Sequence, residues 1–599
     1  MRRLCVLMAV VFVLAGCSDD VTEGQNDVND ERDNTNSETE PDPDDCEPGE
    51  ILGCVDDTSA EVCGEEGEDP EVWDCPDETP NCVDGECTDQ ICAPEQPLCA
   101  DETTRAYCND EGDGYVDEFE CGDGEICEDG VCETACELGA KMTESYFGCE
   151  YWTVYLDQYD DPTTGIEDNE IPHAIVLSNP NDVDATAHFQ AMDPGVSFDI
   201  DDPTIPAGEA RSFVMPRIPL EESGKSHSGI FVQTTMPVTA HQFNPLNNED
   251  VYSNDASLLL PVSSLGDEYY VLSWPTQGAE FDDFDFDFGD FDFEPQQGYL
   301  TVIATSQGLT NVTVDLTADS EEGSEMDSFS GGEQHEFELS HGEVLNLQAD
   351  AVGMGGDPGD LTGSYVTADQ PIAVFGGHEQ AVVAYDDDRG SCCADHIEQQ
   401  MYPLDSWGDR YIAPFSPGRT DTKDHWRILA GEDGVTVETE PAQPEADGVT
   451  LNAGEFVEFF SDQDFEVTAD GKIKVGQYLT GQEQTAEFTG DPALVTAVPI
   501  ERFRDDYHVL VPEDYDQDFI TVIRPEGLEV ELNGEPMDDG LFSPVGSGEF
   551  ETGYVEVDSG VYVLENPDEV AFGVLVHGLD NAVSYGYPGG MNVVGEEDE

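Results

Sequence analysis

The sequence predicts an all-β protein in which tandem β-sandwich or jelly-roll-like modules follow two small disulfide-rich repeats and a disordered stalk. Three observations carry this prediction. From about residue 150, β-branched and aromatic runs alternate with Gly, Pro, Asn and Asp, and helical periodicity is almost absent. Fourteen of the 18 cysteines lie between residues 46 and 149. Residues 18–45 hold twelve Asp or Glu and almost nothing that could be buried.

Residues 1–16 have the features of an export signal. Arg2 and Arg3 provide the positive start, and the apolar run from Leu4 to Leu14 is too short to span a bilayer. The sequence Leu14-Ala-Gly-Cys17 resembles a bacterial lipobox, so Cys17 is predicted to be lipidated and to become the new N-terminus. The alternative is an ordinary signal peptide cut nearby. The expected location is the bacterial cell envelope, at the outer membrane or the cell surface.

Residues 17–45 then form the lipidated Cys and an acidic stalk. A segment so poor in apolar residues cannot offset its ordering entropy, so we expect it to be disordered. Fully extended, its 28 residues after Cys17 reach about 90 Å at about 3.3 Å each, and self-repulsion favours extension.

Two sets of six cysteines define a tandem repeat, at residues 46–88 and 89–135, and the sets end in VDGEC and EDGVC. Each unit is too small for a sufficient core, so disulfides are expected to stabilise it. Zinc is disfavoured because neither unit offers CxxC-type pairs or added histidines. The connectivity within the repeats is left open, and the two cysteines that follow them are expected to pair with each other. The cysteines of the first set are Cys46, Cys54, Cys63, Cys75, Cys82 and Cys87; those of the second are Cys92, Cys99, Cys108, Cys121, Cys127 and Cys132; the expected pair is Cys136 and Cys149.

Residues 136–595 repeat a strand, turn, strand, Gly-bearing hairpin and apolar strand about four times, at 85 to 110 residues each. Units of that size suit β-sandwich or jelly-roll-like modules. A single propeller ranks second, because it would need more blades of shorter period. The Phe- and Asp-rich residues 281–295 are interpreted as an inserted loop in preference to an adhesive or cation-bridged hairpin. The repeats start with HAIVLSNP at residue 173, YLTVIATSQGL at 299, HWRILAGEDG at 425 and DFITVIRPEG at 518.

Residues 371–437 hold the most distinctive stretch of this region. An apolar strand over Ile372–Phe375 is predicted to break at Gly376-Gly377, before a polar loop that ends at two adjacent cysteines. Oxidation after export favours a strained disulfide between these neighbours, since the β region offers no other partner, and the alternatives are that they pair separately or stay reduced. A compact segment of polar and aromatic residues follows. The adjacent cysteines are Cys392 and Cys393, and the segment contains Asp395, His396, Gln400, Pro403, Trp407 and Gly408.

These residues carry a resemblance. The phrase from Cys393 to Gln400, the following Pro-x-x-x-Trp-Gly, Arg427-x-x-Ala430, and the ending SYGYPGG at residue 584 are similar to the IgGFc-binding protein N-terminal domain family, here as a bacterial lipoprotein member. The similarity covers roughly residues 165 to 590. It implies an extracellular interaction domain in which the motif residues have structural roles. No antibody-contact residue maps onto this chain.

Known catalytic signatures are absent from the sequence: it has no GxSxG, HExxH or P-loop, and no GxGxxG in a βα context. Asp395, His396 and Glu398 resemble a metal cluster, but neighbours in an extended segment point to opposite sides. A structural hydrogen-bonding role for His396 is therefore favoured. Asn109 to Glu120 spaces oxygen donors like a calcium loop, but cysteines replace the flanking helices, so a solvated turn is preferred. We predict no catalytic residue, metal ligand or cofactor, and no enzyme.

The net charge of −119 excludes partners that are themselves polyanions, such as nucleic acid, and leaves the lipid as the only membrane contact. The acidity fits solubility in a saline habitat, and diffuse binding of divalent cations is the alternative. The sequence thus predicts a surface-anchored adhesion-type lipoprotein that presents its β modules to an unknown extracellular protein or glycan. The rivals are a structural envelope component without a diffusible ligand and a secreted hydrolase with an unrecognised site.

Overall fold

A computed structural model describes most of the chain between residues 51 and 593. The signal, Cys17, the stalk, residues 281–294 and residues 110–114 of the calcium-like loop lie outside the described residues, as do Cys46, Cys63, Cys75, Cys92 and Cys392. The described ranges are 51–56, 59–62, 71–74, 81–83, 86–88, 97–101, 104–109, 115–121, 125–128, 130–134, 136, 145–158, 173–198, 200–218, 220–245, 253–277, 295–350, 358–386, 389–390, 393–513 and 515–593.

The chain divides into two compact units, residues 1–96 with 108–116, and residues 97–107 with 117–599. In the first unit, β1 to β3 form an antiparallel sheet, and β4 and β5 form a hairpin that sets Cys82 opposite Cys87. These strands are β1 (Ile51–Asp56), β2 (Ser59–Val62), β3 (Glu71–Asp74), β4 (Asn81–Val83) and β5 (Glu86–Thr88).

Three disulfides are described at the start of the second unit: Cys99–Cys127, Cys121–Cys132 and Cys136–Cys149. The last is the pair that the sequence predicted, and the first two supply part of the connectivity that it left open. Cys108 is also disulfide-bonded. The strands of this stretch, in which Cys108–Val116 belong to the first unit, are β6 (Pro97–Asp101), β7 (Thr104–Cys108), β8 (Tyr115–Glu120), β9 (Glu125–Glu128) and β10 (Val131–Thr134).

The rest of the second unit, which we call the β body, contains four modules. The first and third modules are built alike, each around one long strand with shorter strands on both sides. The first comprises β11 (Gly148–Thr153), β12 (Ala174–Ser178), β13 (Ala185–Ala191), β14 (Thr204–Ile205), β15 (Ala210–Val214), the long β17 (Ile230–Asn244) and β18 (Asp255–Leu259). The third comprises β27 (Gly408–Ala413), β28 (Asp424–Ala430), β29 (Val435–Glu440), β30 (Val449–Leu451), β31 (Phe456–Ser461), the long β32 (Phe465–Tyr478) and β33 (Leu494–Thr496).

The second and fourth modules each have a five-stranded and a four-stranded sheet. The second comprises β16 (Gly224–Ser226), β20 (Gly298–Ala304), β23 (Val344–Gln348), β25 (Ile372–Ala381) and β26 (Asp395–Gln400), with β19 (Glu268–Tyr270), β21 (Leu309–Asp315), β22 (Gln334–Ser340) and β24 (Tyr365–Ala368). The fourth comprises β35 (Gln517–Pro525), β38 (Ser543–Val545), β39 (Phe550–Val557), β41 (Gly573–Asp580) and β42 (Val583–Pro588), with β34 (Asp506–Val511), β36 (Glu531–Leu532), β37 (Glu535–Pro536) and β40 (Gly560–Glu565). Short 3-10 turns lie at Val262–Ser264, Leu404–Ser406, Gln482–Gln484, Ile500–Arg502 and Asp539–Leu541.

The all-β prediction is confirmed, and the modules do more than follow one another along the chain. Successive modules share apolar clusters, because residues of the first pack with the second, the second with the third, the third with the fourth and the fourth with the first. The last strands of the modules, β18, β26, β33 and β42, contact one another in the same cyclic order. A backbone bond from Tyr146 N–H to Met591 O, 3.2 Å, joins the two ends. The modules therefore surround a common centre, although each has more strands than a propeller blade.

The predicted strand break at Gly376-Gly377 is wrong, because β25 runs through both residues. A Cβ atom at Gly376 would lie 2.2 Å from Leu272 O, and one at Gly377 would lie 2.0 Å from Ile397 O. These glycines permit neighbouring backbones to approach closely, and they do not turn the chain. Among the described residues, none of the helices is long and apolar enough to cross a membrane.

Candidate functional site: the centre of the four modules

The distinctive segment singled out in the sequence forms β26, at the centre of the β body. All of Asp395–Gln400 is buried. The strand is extended, so His396 and Glu398 share one side while Asp395 points to the other, as the alternation predicted. Polar residues that would normally face solvent are here enclosed on both faces of a strand, and each must find a partner inside the protein.

Asp255, on the equivalent strand β18, supplies the most highly connected carboxylate of this centre. Its Oδ2 accepts the N–H groups of Glu398 and Leu494, both at 3.0 Å. Its Oδ1 accepts those of Ala256 at 2.8 Å and Gly586 at 3.4 Å. One fully buried side chain thus bonds to the backbone of all four modules. Burial raises the pKa of Asp255, and the backbone donors act in the opposite direction.

Asp395 and Gln400 make similar bonds between modules. Asp395 accepts Asn254 N–H at 2.6 Å and Ser584 N–H at 3.4 Å, which ties the second module to the first and fourth. Gln400 accepts Leu260 N–H at 2.5 Å through its side chain. Cys393 donates its N–H to Asp491 at 3.2 Å and is disulfide-bonded.

His396 lies in a buried network between the first and second modules. Its Nε2 lies 3.5 Å from Glu398 Oε2 and 3.5 Å from the Tyr299 hydroxyl. Glu398 also accepts bonds from Asn244 at 2.9 Å and Gln242 at 3.2 Å. Burial lowers the pKa of His396 to about 3 and raises that of Glu398. The imidazole is therefore neutral at physiological pH, which fits the structural role predicted for it.

Pro403, Trp407 and Gly408 form the connector from the second to the third module. Pro403 precedes a 3-10 turn, after which the buried Trp407 donates Nε1–H to Tyr402 O at 3.2 Å. Gly408 begins β27, and a Cβ there would lie 2.5 Å from a Pro499 side-chain carbon. The motif thus sets the path between modules.

The same connector occurs three times, a repeat that our reading of the sequence missed. Each copy has Pro, then an apolar residue four positions later, Asp two further on and Tyr two after that. Each Tyr hydroxyl accepts the N–H three residues before it and donates to the carbonyl of a residue distant in sequence. Aligning the sequence on its Pro-x-x-x-apolar-x-Asp-x-Tyr phrases would have revealed it. The copies are Pro261, Leu265, Asp267 and Tyr269; Pro403, Trp407, Asp409 and Tyr411; and Pro499, Phe503, Asp505 and Tyr507.

The chemistry available at this centre is that of a closed scaffold. Asp255, Asp395, His396 and Glu398 are inaccessible to solvent, and their hydrogen bonds are made within the body. In the part of the chain that the structure describes, no three His, Cys, Asp or Glu residues are arranged to hold a metal ion. The centre holds the modules together.

Comparison with known proteins adds two findings. A family model described as IgGFc binding protein matches residues 255–578, just over half of the chain, from the central Asp255 into β41 of the fourth module. A human protein, IgGFc-binding protein, is 24% identical over 344 residues. That alignment takes in 55% of this chain but only 6% of the length of the human protein.

Proposed function

Since the chain belongs to the IgGFc binding protein family, we propose that it is an extracellular binding protein whose β body presents an outer surface to a protein or glycan. The human relative is named for binding IgG Fc, and it shares with this chain only a small part of its length. The proposal therefore takes from the family an extracellular binding role and leaves antibody out of it.

One observation supports this function above the others: the polar residues of the family-like segment are buried and bonded between modules. Asp395, His396 and Gln400 have exposures of 0, 0 and 1%. Because these residues stabilise the fold, a ligand would have to be bound by residues on the outer surface. A rigid scaffold that carries binding residues on its surface is typical of recognition proteins. The proposal includes no catalytic residue and no cofactor, so EDTA should leave the melting temperature unchanged.

Capture by the exported chain tests the proposed function. Residues 18–599, immobilised in native form, should retain specific proteins or glycans from the surface of cells that the bacterium contacts, and excess soluble chain should compete. The heat-denatured chain is the control. Robust turnover of ester, glycoside or peptide substrates would instead favour the hydrolase. A deletion strain with a weakened envelope but normal attachment would favour the structural component.

Anchoring through Cys17 is the second part of the proposal. The lipobox-like Leu14-Ala-Gly-Cys17 supports it. Mass spectrometry of the mature protein should find lipid on Cys17, and Cys17→Ser should release the protein from the membrane fraction. An unmodified N-terminus at another residue would contradict lipidation.

A further inference from the structure

The third module has an open hollow, which we call the module 3 hollow, of about 380 Å³. It opens beside β28 and β31, at the edge of the seven-stranded sheet. Its volume suits a single small ligand or the terminal unit of a larger one. Six side chains that line it carry the argument: Tyr385, Lys423, His425, Glu445, Glu458 and Phe460.

One wall of the module 3 hollow is aromatic and rigid. The half-buried Phe460 packs on His425 with ring centroids 4.7 Å apart, and Tyr385 lies 6.2 Å from Phe460. Behind them, His425 packs against Trp274 at 4.9 Å and Tyr478 at 5.8 Å, both in the apolar core. The wall is therefore anchored in the core and presents apolar ring surface to the opening.

A fixed carboxylate stands beside this wall. Glu458 Oε2 lies 3.2 Å from His425 Nε2 and 3.0 Å from Arg427 Nη2. The close approach of His425 Nε2 and the nearby Arg427 charge lower the pKa of Glu458 to about 2. About half of this side chain remains exposed, so an ionised, oriented acceptor faces the opening.

The remaining polar groups lack partners among the described residues. No hydrogen bond or ion pair to a described residue engages Lys423 Nζ or the carboxylate of the exposed Glu445. His425 Nδ1 is buried without a hydrogen-bond partner in the same part of the chain. The chain has 137 acidic residues and only 18 Lys and Arg, so most basic groups would be expected to pair with a carboxylate. The Lys423 ammonium group has no such partner among the described residues.

We propose that the module 3 hollow binds a neutral pyranose sugar, the terminal residue of an extracellular glycan. Sugars combine an apolar C–H face, which suits the aromatic wall, with hydroxyl groups that both donate and accept. Glu445 and Glu458 would accept from hydroxyls, and Lys423 would donate. Two carboxylates and a net charge of −119 disfavour anionic sugars, and Lys423 disfavours a cation. This site rests on the proposed binding function and gives its ligand a chemical class.

Saturation-transfer NMR on residues 18–599 tests the site with methyl glycosides of glucose, galactose, mannose and N-acetylglucosamine. At least one should receive saturation, and N-acetylneuraminic acid should receive none. Lys423→Gln and Phe460→Ala should each weaken binding about tenfold or more, as expected for losing a charged hydrogen bond or the stacking surface. Lys472→Gln makes the same charge change on another lysine of this module, and Tyr554→Ala removes an exposed ring in the fourth module; both should bind as the wild type does.

The surface variants Lys423→Gln and Glu445→Gln keep the test valid if Phe460→Ala fails to fold. Absence of saturation with all four neutral sugars, or equal binding by wild type and Lys423→Gln, overturns the sugar site. The capture experiment stands apart from this one. If the hollow variants abolish capture of a protein while no sugar binds, the binding function holds and the hollow belongs to a protein partner. If no sugar binds and the immobilised chain captures no protein or glycan, the binding function itself is rejected.

Discussion

The side chain of Asp255 illustrates how a buried polar group can serve as structure. Four backbone N–H groups, one from its own strand and three from other modules, converge on its two oxygens. Left without that carboxylate, these donors would be buried without acceptors, at a cost of about 1–3 kcal/mol each. The residue therefore specifies which strands meet at the centre.

Replacing Asp255 by Asn should destabilise the β body by at least about 2 kcal/mol. Asn keeps one acceptor oxygen but replaces the other with an NH₂ group, which cannot accept a hydrogen bond. The backbone N–H groups that face it would then be buried without an acceptor. Urea denaturation followed by tryptophan fluorescence measures the change. Asp405→Asn is the matched control, because Asp405 is 98% exposed and its ion pair with Lys472 should contribute about 1 kcal/mol or less. Equal losses for the two variants would contradict the role assigned to Asp255.

His396 gives the body a dependence on acid. Its pKa is about 3 when folded and 6.5 in the unfolded chain, so only the unfolded state takes up a proton between these values. Stability is consequently lost as pH falls from about 6.5 toward 3. In His396→Gln the decline should be shallower, by up to about 1.4 kcal/mol per pH unit. Denaturant midpoints at pH 7.5, 6 and 5 measure the slopes. The exposed His188→Gln should keep the wild-type slope, and an unchanged slope in His396→Gln would refute this account.

At the scale of the element, the connector is the unit that repeats. A proline, a 3-10 turn, a buried apolar residue and a tyrosine hydroxyl bring the chain from one module into the next. In the second connector, Trp407 packs into the core that the second and third modules share, with Tyr270 5.8 Å from its ring. An anchor at this position stabilises two modules at once.

Trp407→Ala should cost about 3–5 kcal/mol of stability through the cavity it leaves. His396→Ala should cost less, about 1–3 kcal/mol, as for one buried hydrogen-bonding group. Melting curves of both variants, with the exposed Phe488→Ala as a control of similar chemistry, establish the order. A mild effect of Trp407→Ala, close to that of Phe488→Ala, would show that the connector is not anchored there.

Part of this architecture could be predicted from sequence, and the reasons for the rest are physical. The four apolar β repeats were visible because alternation and turn residues are local signals. The central strands were harder, since SNDASLLL and ADHIEQQ contain the polar residues that normally mark loops or surfaces. Only their long-range partners, such as Gly586 for Asp255, make such strands stable inside the protein. The strand β16 lies within the first module in sequence but joins the sheet of the second module, where it pairs with β23. This placement also depends on contacts between residues that are far apart in sequence.

At the scale of the whole molecule, two modes of stabilisation coexist. The β body has large shared cores, whereas we expect the small Cys-rich repeats to depend on covalent links such as Cys99–Cys127. Each bridge contributes about 2–4 kcal/mol in the chain-entropy view. The many acidic residues repel one another, and this repulsion opposes folding of the chain as a whole. Salt screens the repulsion, so we expect the protein to be more stable at high ionic strength.

Reduction of the disulfides should therefore affect the Cys-rich repeats and the β body differently. With dithiothreitol, residues 46–135 should become susceptible to protease while the β body is largely resistant, because only the repeats need disulfides for their fold. Limited proteolysis with mass spectrometry, with and without reductant, maps the cleavage sites. Repeats that resist protease after reduction would show that they have a sufficient core of their own.

The cyclic closure of the β body also has a consequence for its biogenesis. Apolar residues of the fourth module, which are translated after the first three modules, cover Val176, Phe243 and Ala256 of the first. A growing chain cannot hide this face by folding its first module alone, however quickly that module forms. The face is exposed until the fourth module has been synthesised, so we expect synthesis to pass through an aggregation-prone stage in which a holdase chaperone would protect the chain.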